Sequence, residues 1–132
     1  LRFGKIALLY TDTHFQVMSA AVTGKNDVVI AVTLSGETPD ILETLTVAKK
    51  NKSKIIVITN HILSAAAQMA NHVLLTAGRE TLIDGGSLIA KMSQLYIIDV
   101  LCTGYALQNK DESLKMKHNT AEAVVRKNSG VK

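Results

Sequence analysis

Four short runs rich in β-branched residues and leucine, at residues 6–10, 28–34, 54–59 and 72–76, constrain this chain most. Their apolar character is continuous rather than alternating, the pattern of strands covered on both faces. Between the runs lie segments of about a dozen residues with helical periodicity, and parallel strands need crossovers of that length because no tight turn can join them. The alternation therefore predicts right-handed crossovers, a parallel sheet and the α/β class. With 132 residues the chain fits one compact domain, and 47% apolar against 20% charged residues with a single proline excludes a disordered or collagen-like chain.

The helical segments carry their own signals. The first places Phe15, Met18, Ala21 and Val22 on one face, and the second places Ile41, Leu42, Leu45 and Ala48 on one face. In the second, Thr38 is a good N-cap, Pro39 fits the first helical position, and Asp40 and Glu43 lie near the positive helix end. Ser64 is expected to cap a short third helix ending near Met69. A fourth helix, about 87–105, carries Leu88, Ile89, Met92, Leu95, Tyr96 and Leu101 around most of its circumference, which calls for burial in the domain or against another subunit. Asp99 and Cys102 fall within it, Asp99 as a buried carboxylate held by a structural hydrogen bond or an interface contact and Cys102 as a small core residue. A last helix, about 111–127, carries Leu114, Ala121, Val124 and Val125 before a polar end expected to fray.

Charge and cysteine usage narrow the function classes. The formal charge of +4 is concentrated at residues 110–132, where six Lys and Arg face three Asp and Glu, and the rest has no basic stripe interleaved with aromatics for nucleic acid. One cysteine makes no internal disulfide, and the four histidines lack zinc-site spacing, so a reducing, cytoplasmic setting without a metal or other cofactor is expected. The uncharged stretch 63–78 includes Ser64, Gln68, Asn71 and His72, so it does not read as a membrane span. The chain starts at Leu1 and shows no signal-peptide pattern, as expected of a piece of a longer protein.

Ligands of open parallel sheets sit beyond the carboxyl ends of strands, where loops lead into helices. Thr33-Leu34-Ser35-Gly36-Glu37-Thr38 occupies that place. Three hydroxyls, a glycine that permits close approach, and a helix N-terminus with free N–H donors make a small oxyanion cradle. It has neither the lysine of a P-loop nor a G-x-G-x-x-G, so the terminal phosphate of a small molecule suits it better than a nucleotide. Read from local pattern alone, Ser35, Gly36 and Thr38 serve equally as turn and cap residues.

The stretch from Asp27 to Ile41, with Ala48-Lys49 and the run 55–59, resembles the SIS (sugar isomerase) phosphosugar-binding domain. The blocks at residues 10–16 and 91–101, with Ser64, Ala70 and Glu80, resemble more narrowly the effector domain of RpiR-type bacterial transcriptional regulators. The resemblance covers about residues 3–104. It implies a three-layer α/β/α flavodoxin-like fold in which Thr33, Ser35, Gly36 and Thr38 match the S-x-S-G-x-T phosphate loop. Thr33 replaces the usual first Ser, Leu34 offers no side-chain donor, Ala65 and Ala66 replace Pro-Leu, Asn71 a common Asp, and Lys91 a frequent Arg. The family's first strand and its Gly/Ser loop have no counterpart after Leu1, so the cradle is expected to be incomplete.

The expectations then stand as follows. Residues 1–110 form the sugar-phosphate-binding domain and 111–132 a C-terminal helix and tail. Thr33, Ser35, Gly36, Thr38 and Glu80 bind the sugar phosphate, with Leu34, His14 and His61 as further contacts. The chain forms a homodimer or higher homo-oligomer, touches no membrane, and reaches DNA only through a domain outside it. As a sensor it needs no cofactor and no catalytic residue; the alternative is an aldose–ketose isomerase with Glu80 as acid/base. His72 and His118 are expected at a strand edge and on a helix surface.

Overall fold

The computed structural model describes residues 2–77 and 88–128. The elements are α1 Thr13–Ala21, β1 Val28–Val32, α2 Pro39–Lys50, β2 Lys54–Thr59, α3 Ala65–Met69, β3 His72–Leu75, α4 Leu88–Gln108 and α5 Lys110–Asn128. They fall into two compact units, Tyr10–Ile98 and Leu1–Leu9 with Asp99–Lys132.

In the first unit the three strands form a parallel sheet in the order β1-β2-β3. Val29 and Ala31 lie opposite Ile55 and Val57, so these four residues share one face. That face is the core: Ala31, Ile55 and Val57 cluster with Ala20 of α1, Leu45 and Ala48 of α2 and Ala66 of α3. On the other face β1 presents Val28, Ile30 and Val32, which are 56%, 51% and 43% exposed.

Polar side chains finish the elements. Asp12 caps α1 by accepting from the Phe15 N–H at 3.1 Å, and the Asn51 amide donates to the Ala20 and Ala21 carbonyls at the far end, each at 3.0 Å. At the start of β3, Asn71 Oδ1 accepts from the Ile55 N–H at 2.7 Å while the Asn71 N–H donates to the Ile55 carbonyl at 2.8 Å. Past α2, the Ser53 N–H reaches the Ala48 carbonyl and the Lys52 N–H the Lys49 carbonyl, the paired bonds of a Schellman cap. This cap places Lys52 at φ +63°, a left-handed conformation that glycine adopts without steric cost.

The described elements bear out the expected parallel α/β order, the stripe of α2 and the Ser64 cap of α3, and four expectations are corrected. Residues 6–10 form no strand, and Ile6 and Leu9 are 83% and 90% exposed. An extended apolar run becomes a strand only where a neighbour takes its backbone donors and acceptors, and residues 6–10 have no place in the β1-β2-β3 ladder. In α1 the side facing the core is the other one: Ala20 is buried and Gln16 and Val17 are half-buried, while Phe15, Met18, Ala21 and Val22 are exposed. A small residue lets α1 approach α2 closely, which its bulky residues would prevent. Asp99 and Cys102 are both exposed on α4, so neither is buried within the chain and the thiol fills no core.

Helix α4 runs three residues past its expected end, and its expected first residue, Ser87, lies outside the described residues. In the second unit Lys117 lies over the Phe3 ring at 5.0 Å and Lys5 over the Tyr105 ring at 5.6 Å. The Tyr105 phenol, and after it Glu112, raises the Lys5 ammonium above its ordinary value. His118 pairs with Glu122 at 3.1 Å across one turn of α5. Among the described residues no helix is long and apolar enough to cross a membrane.

Lys52 supplies the test of this cap. Lys52→Gly removes a β-carbon from a left-handed position, and the unfolding midpoint in urea should rise by the equivalent of about 1 kcal/mol. An unchanged or lower midpoint would contradict the Schellman geometry.

Candidate functional site

The register decides where the loop after β1 sits. Val32 lies opposite Ile58, and the ladder continues past both strands: the Thr33 N–H donates to the Ile58 carbonyl at 3.0 Å and the Asn60 N–H to the Leu34 carbonyl at 3.1 Å. Thr59, fully buried, adds a bond from its hydroxyl to the same Leu34 carbonyl at 3.0 Å. The loop thus leaves the sheet fixed at its base.

Within the loop the hydroxyls first shape the backbone. The buried Thr33 Oγ1 accepts from the Gly36 N–H at 3.2 Å, and Ser35 Oγ accepts from the Glu37 N–H at 3.2 Å. Gly36 sits at φ +72°, and a β-carbon there would overlap Ser64 Oγ and come within 2.5 Å of Ser64 Cβ. Glycine is therefore required twice, by conformation and by space. Ser64 is held by donating to the His61 carbonyl at 2.8 Å while it accepts from the Ala67 N–H at 3.3 Å.

Thr38 is the N-cap of α2, as expected, with φ −65° and ψ 118°, but its side chain makes no cap hydrogen bond. The first intrahelical bond runs from the Leu42 N–H to the Thr38 carbonyl at 3.1 Å, so the Asp40 and Ile41 amides precede the helical ladder. A Thr38 hydroxyl not engaged in capping, the Ser35 hydroxyl and these amides are the donors the loop offers to an oxyanion. Asp40 and Glu43 sit on the same helix end and offset part of its positive dipole.

The other expected contacts lie apart or outside. His14 is exposed and lines an open cleft with Thr13, Val17, Met18, Asp40 and Glu43, beside the first turn of α2. His61 is exposed, one residue beyond Asn60, and its backbone N–H donates to Thr59 Oγ1 at 3.3 Å. Leu34 is half-buried. Glu80 lies outside the described residues. Among the described residues no cluster of three or more metal-ligating side chains occurs.

Three contributors lay beyond the sequence reading. Thr59 and Ser64 pack around Gly36, and Glu37 Oε1 accepts from the Ala65 N–H at 2.8 Å, across to α3. Beside them the Thr76 hydroxyl bonds to Asn60 Oδ1. Only Ser64 left a signal, as a helix cap; the others join residues distant in sequence.

Comparison with known proteins follows the same residues. The family model described as SIS domain matches residues 3–104. The HTH-type transcriptional regulator RpiR of Escherichia coli strain K12 is 34% identical over 113 residues, 86% of this chain and 38% of the relative. The bifunctional protein glk of Burkholderia orbicola is 34% identical over 127 residues, 95% of this chain and 19% of the relative. Among solved structures, the Vibrio vulnificus NanR protein complexed with ManNAc-6P superposes with a TM-score of 0.85 at 29% identity, over 94% of this chain and 47% of that one. The sugar isomerase domain of the RpiR transcription factor from Sphaerobacter thermophilus superposes at 0.69 with 18% identity, covering 82% and 58%, a likeness of fold. The parallel sheet and these neighbours place the fold among three-layer α/β domains of flavodoxin type. The chain spans less than half the length of RpiR, glk and NanR.

Gly36 gives the site its own test. Gly36→Ala should lower stability by about 2 kcal/mol or more, because the β-carbon meets both a positive φ and Ser64. Pairing it with Ser64→Gly, which removes both the Oγ and the Cβ that the new β-carbon meets and leaves a residue tolerated at an N-cap, should recover part of that loss, and thermal unfolding of the two variants in which the second change recovers nothing would contradict the contact.

Proposed function

The chain belongs to the SIS domain family, and from that membership we propose that it is the sugar-phosphate-sensing effector domain of an RpiR-type transcriptional regulator, acting in the cytoplasm. It binds a phosphorylated sugar, pairs as a homodimer, and passes the bound state to a DNA-binding domain outside these residues. The observation that carries the reading is the loop 33–38: anchored at its base, turned by Gly36 and opening onto the N-terminus of α2. A similar chain, NanR, is solved with ManNAc-6P bound, which supports a sugar phosphate as the ligand class.

In this reading Ser35 and Thr38 donate hydroxyls to the phosphate, and the first amides of α2 complete the recognition. Thr33 and Gly36 hold the loop's shape: the Thr33 hydroxyl is buried, and its oxygen accepts the Gly36 N–H. Leu34 contributes its carbonyl to the anchor. We assign His14 and His61 to the sugar beyond the phosphate and Glu80 to its hydroxyls.

The ligand test uses the full-length protein and a panel including ManNAc-6P, glucose 6-phosphate and ribose 5-phosphate. At about 100 times its dissociation constant the right sugar phosphate should stabilise by about 2.7 kcal/mol, raising the melting temperature by a few degrees. The parent sugars should give no shift, and Ser35→Ala with Thr38→Val should abolish the response. Equal shifts with free sugars, or none with any phosphate, would defeat the reading.

Pairing is read from α4 and α5, whose apolar side chains include Leu95, 61% exposed, and Val124, 57% exposed. A two-fold dimer buries exposed apolar side chains of this kind against its own copy and presents two heads to a palindromic operator. Light scattering at micromolar concentration should give a dimer mass, reduced to monomer by Leu95→Glu or Val124→Lys. A monomer from the unsubstituted chain would refute the pairing.

A further inference from the structure

Glu37 is the one carboxylate inside the loop, and it stands directly before the N-cap of α2, where an anion would bind. A free carboxylate there would repel a phosphate dianion. Its Oε1 instead accepts from the Ala65 N–H at 2.8 Å, and next to that bond the Ala66 N–H donates to the Gly36 carbonyl at 3.0 Å. Two consecutive residues of the loop are thus tied to two consecutive amides at the start of α3. The two ties differ in kind: one is backbone to backbone, and the other depends on a side chain that substitution can remove.

We infer that Glu37 is a positioning residue, a strap whose carboxylate oxygen fastens the phosphate loop to α3 and thereby sets the Ser35 and Thr38 hydroxyls for the ligand. The inference rests on the sugar-phosphate reading above and adds to it a residue that touches no ligand. It also has a sign that charge alone does not give. Deleting a negative charge beside an anion site should tighten dianion binding through Coulomb's law, whereas deleting a strap should weaken it through a loosened loop.

Two variants of the full-length protein separate the effects. Glu37→Gln keeps an oxygen acceptor for the Ala65 N–H and removes the charge; Glu37→Ala removes both. With ManNAc-6P and inorganic phosphate as probes in calorimetric titration, Glu37→Ala should bind about fivefold more weakly and Glu37→Gln at least as tightly as the unsubstituted protein. In amide hydrogen exchange without ligand, Ala65 should exchange about tenfold faster in Glu37→Ala and keep its protection in Glu37→Gln. Binding by Glu37→Ala at or above the unsubstituted level, equal losses in both variants, or unchanged exchange at Ala65 would each overturn the strap. Should neither probe bind the unsubstituted protein while the panel of sugar phosphates also gives no thermal shift, the sugar-phosphate reading falls, and the binding consequence falls with it. The Ala65 exchange still decides whether the strap exists.

Discussion

The site depends on the parallel pairing of β1 with β2. Val32 opposite Ile58 brings the carboxyl ends of both strands to one level, and the bonding continues beyond them through Thr33 to Ile58 and Asn60 to Leu34. A loop that carries on a ladder inherits its rigidity, because each further bond fixes residues whose neighbours are already fixed. A slip of one residue would turn Ala31 and Val57 out of the core and move the loop base with them. The buried faces of α2 and α3 hold that register, so the core and the site have a common origin.

The close approach of Gly36 to Ser64 carries the same logic one step outward. Ser64 caps α3 and also fills the space beneath the loop, so one residue ends a helix and shapes a site. A cap alone tolerates Ser, Thr, Asp or Asn, but the space under Gly36 does not accept larger groups. Thr59 contributes similarly: fully buried, it binds the Leu34 carbonyl and receives the His61 N–H, joining the two loops that follow β1 and β2.

The parts legible in the sequence are those set by short-range chemistry. Pro39 after Thr38, with Asp40 behind it, marks a helix start wherever it occurs, and the continuous run 54–59 reads as a buried central strand because β2 has a neighbour on each side. What the sequence hid is long-range. Residues 6–10 have the composition of a strand, yet strand identity depends on a neighbour that composition cannot name. In α1 the apolar periodicity points to Phe15, Met18 and Val22, while close helix packing selects Ala20. The Glu37 bond to Ala65 spans 28 positions, beyond the reach of any capping pattern. Thr38 shows a third case: the cap position was legible, but not that its hydroxyl is left out of the cap.

The charge arrangement bears on what such a loop can select. Residues 33–38 contain no Lys or Arg, and Asp40 and Glu43 follow on the first turns of α2. Within this loop, attraction for an anion therefore comes from oriented hydroxyl and amide dipoles rather than from positively charged side chains. Dipoles act over short distances and in fixed directions, so they favour a compact group that accepts several hydrogen bonds at once, as a terminal phosphate does, and give little hold on an extended polyanion. For such a site the placement of each donor matters more than the number of charges. A loop anchored by its strands, its glycine and a carboxylate turned toward another helix supplies that placement.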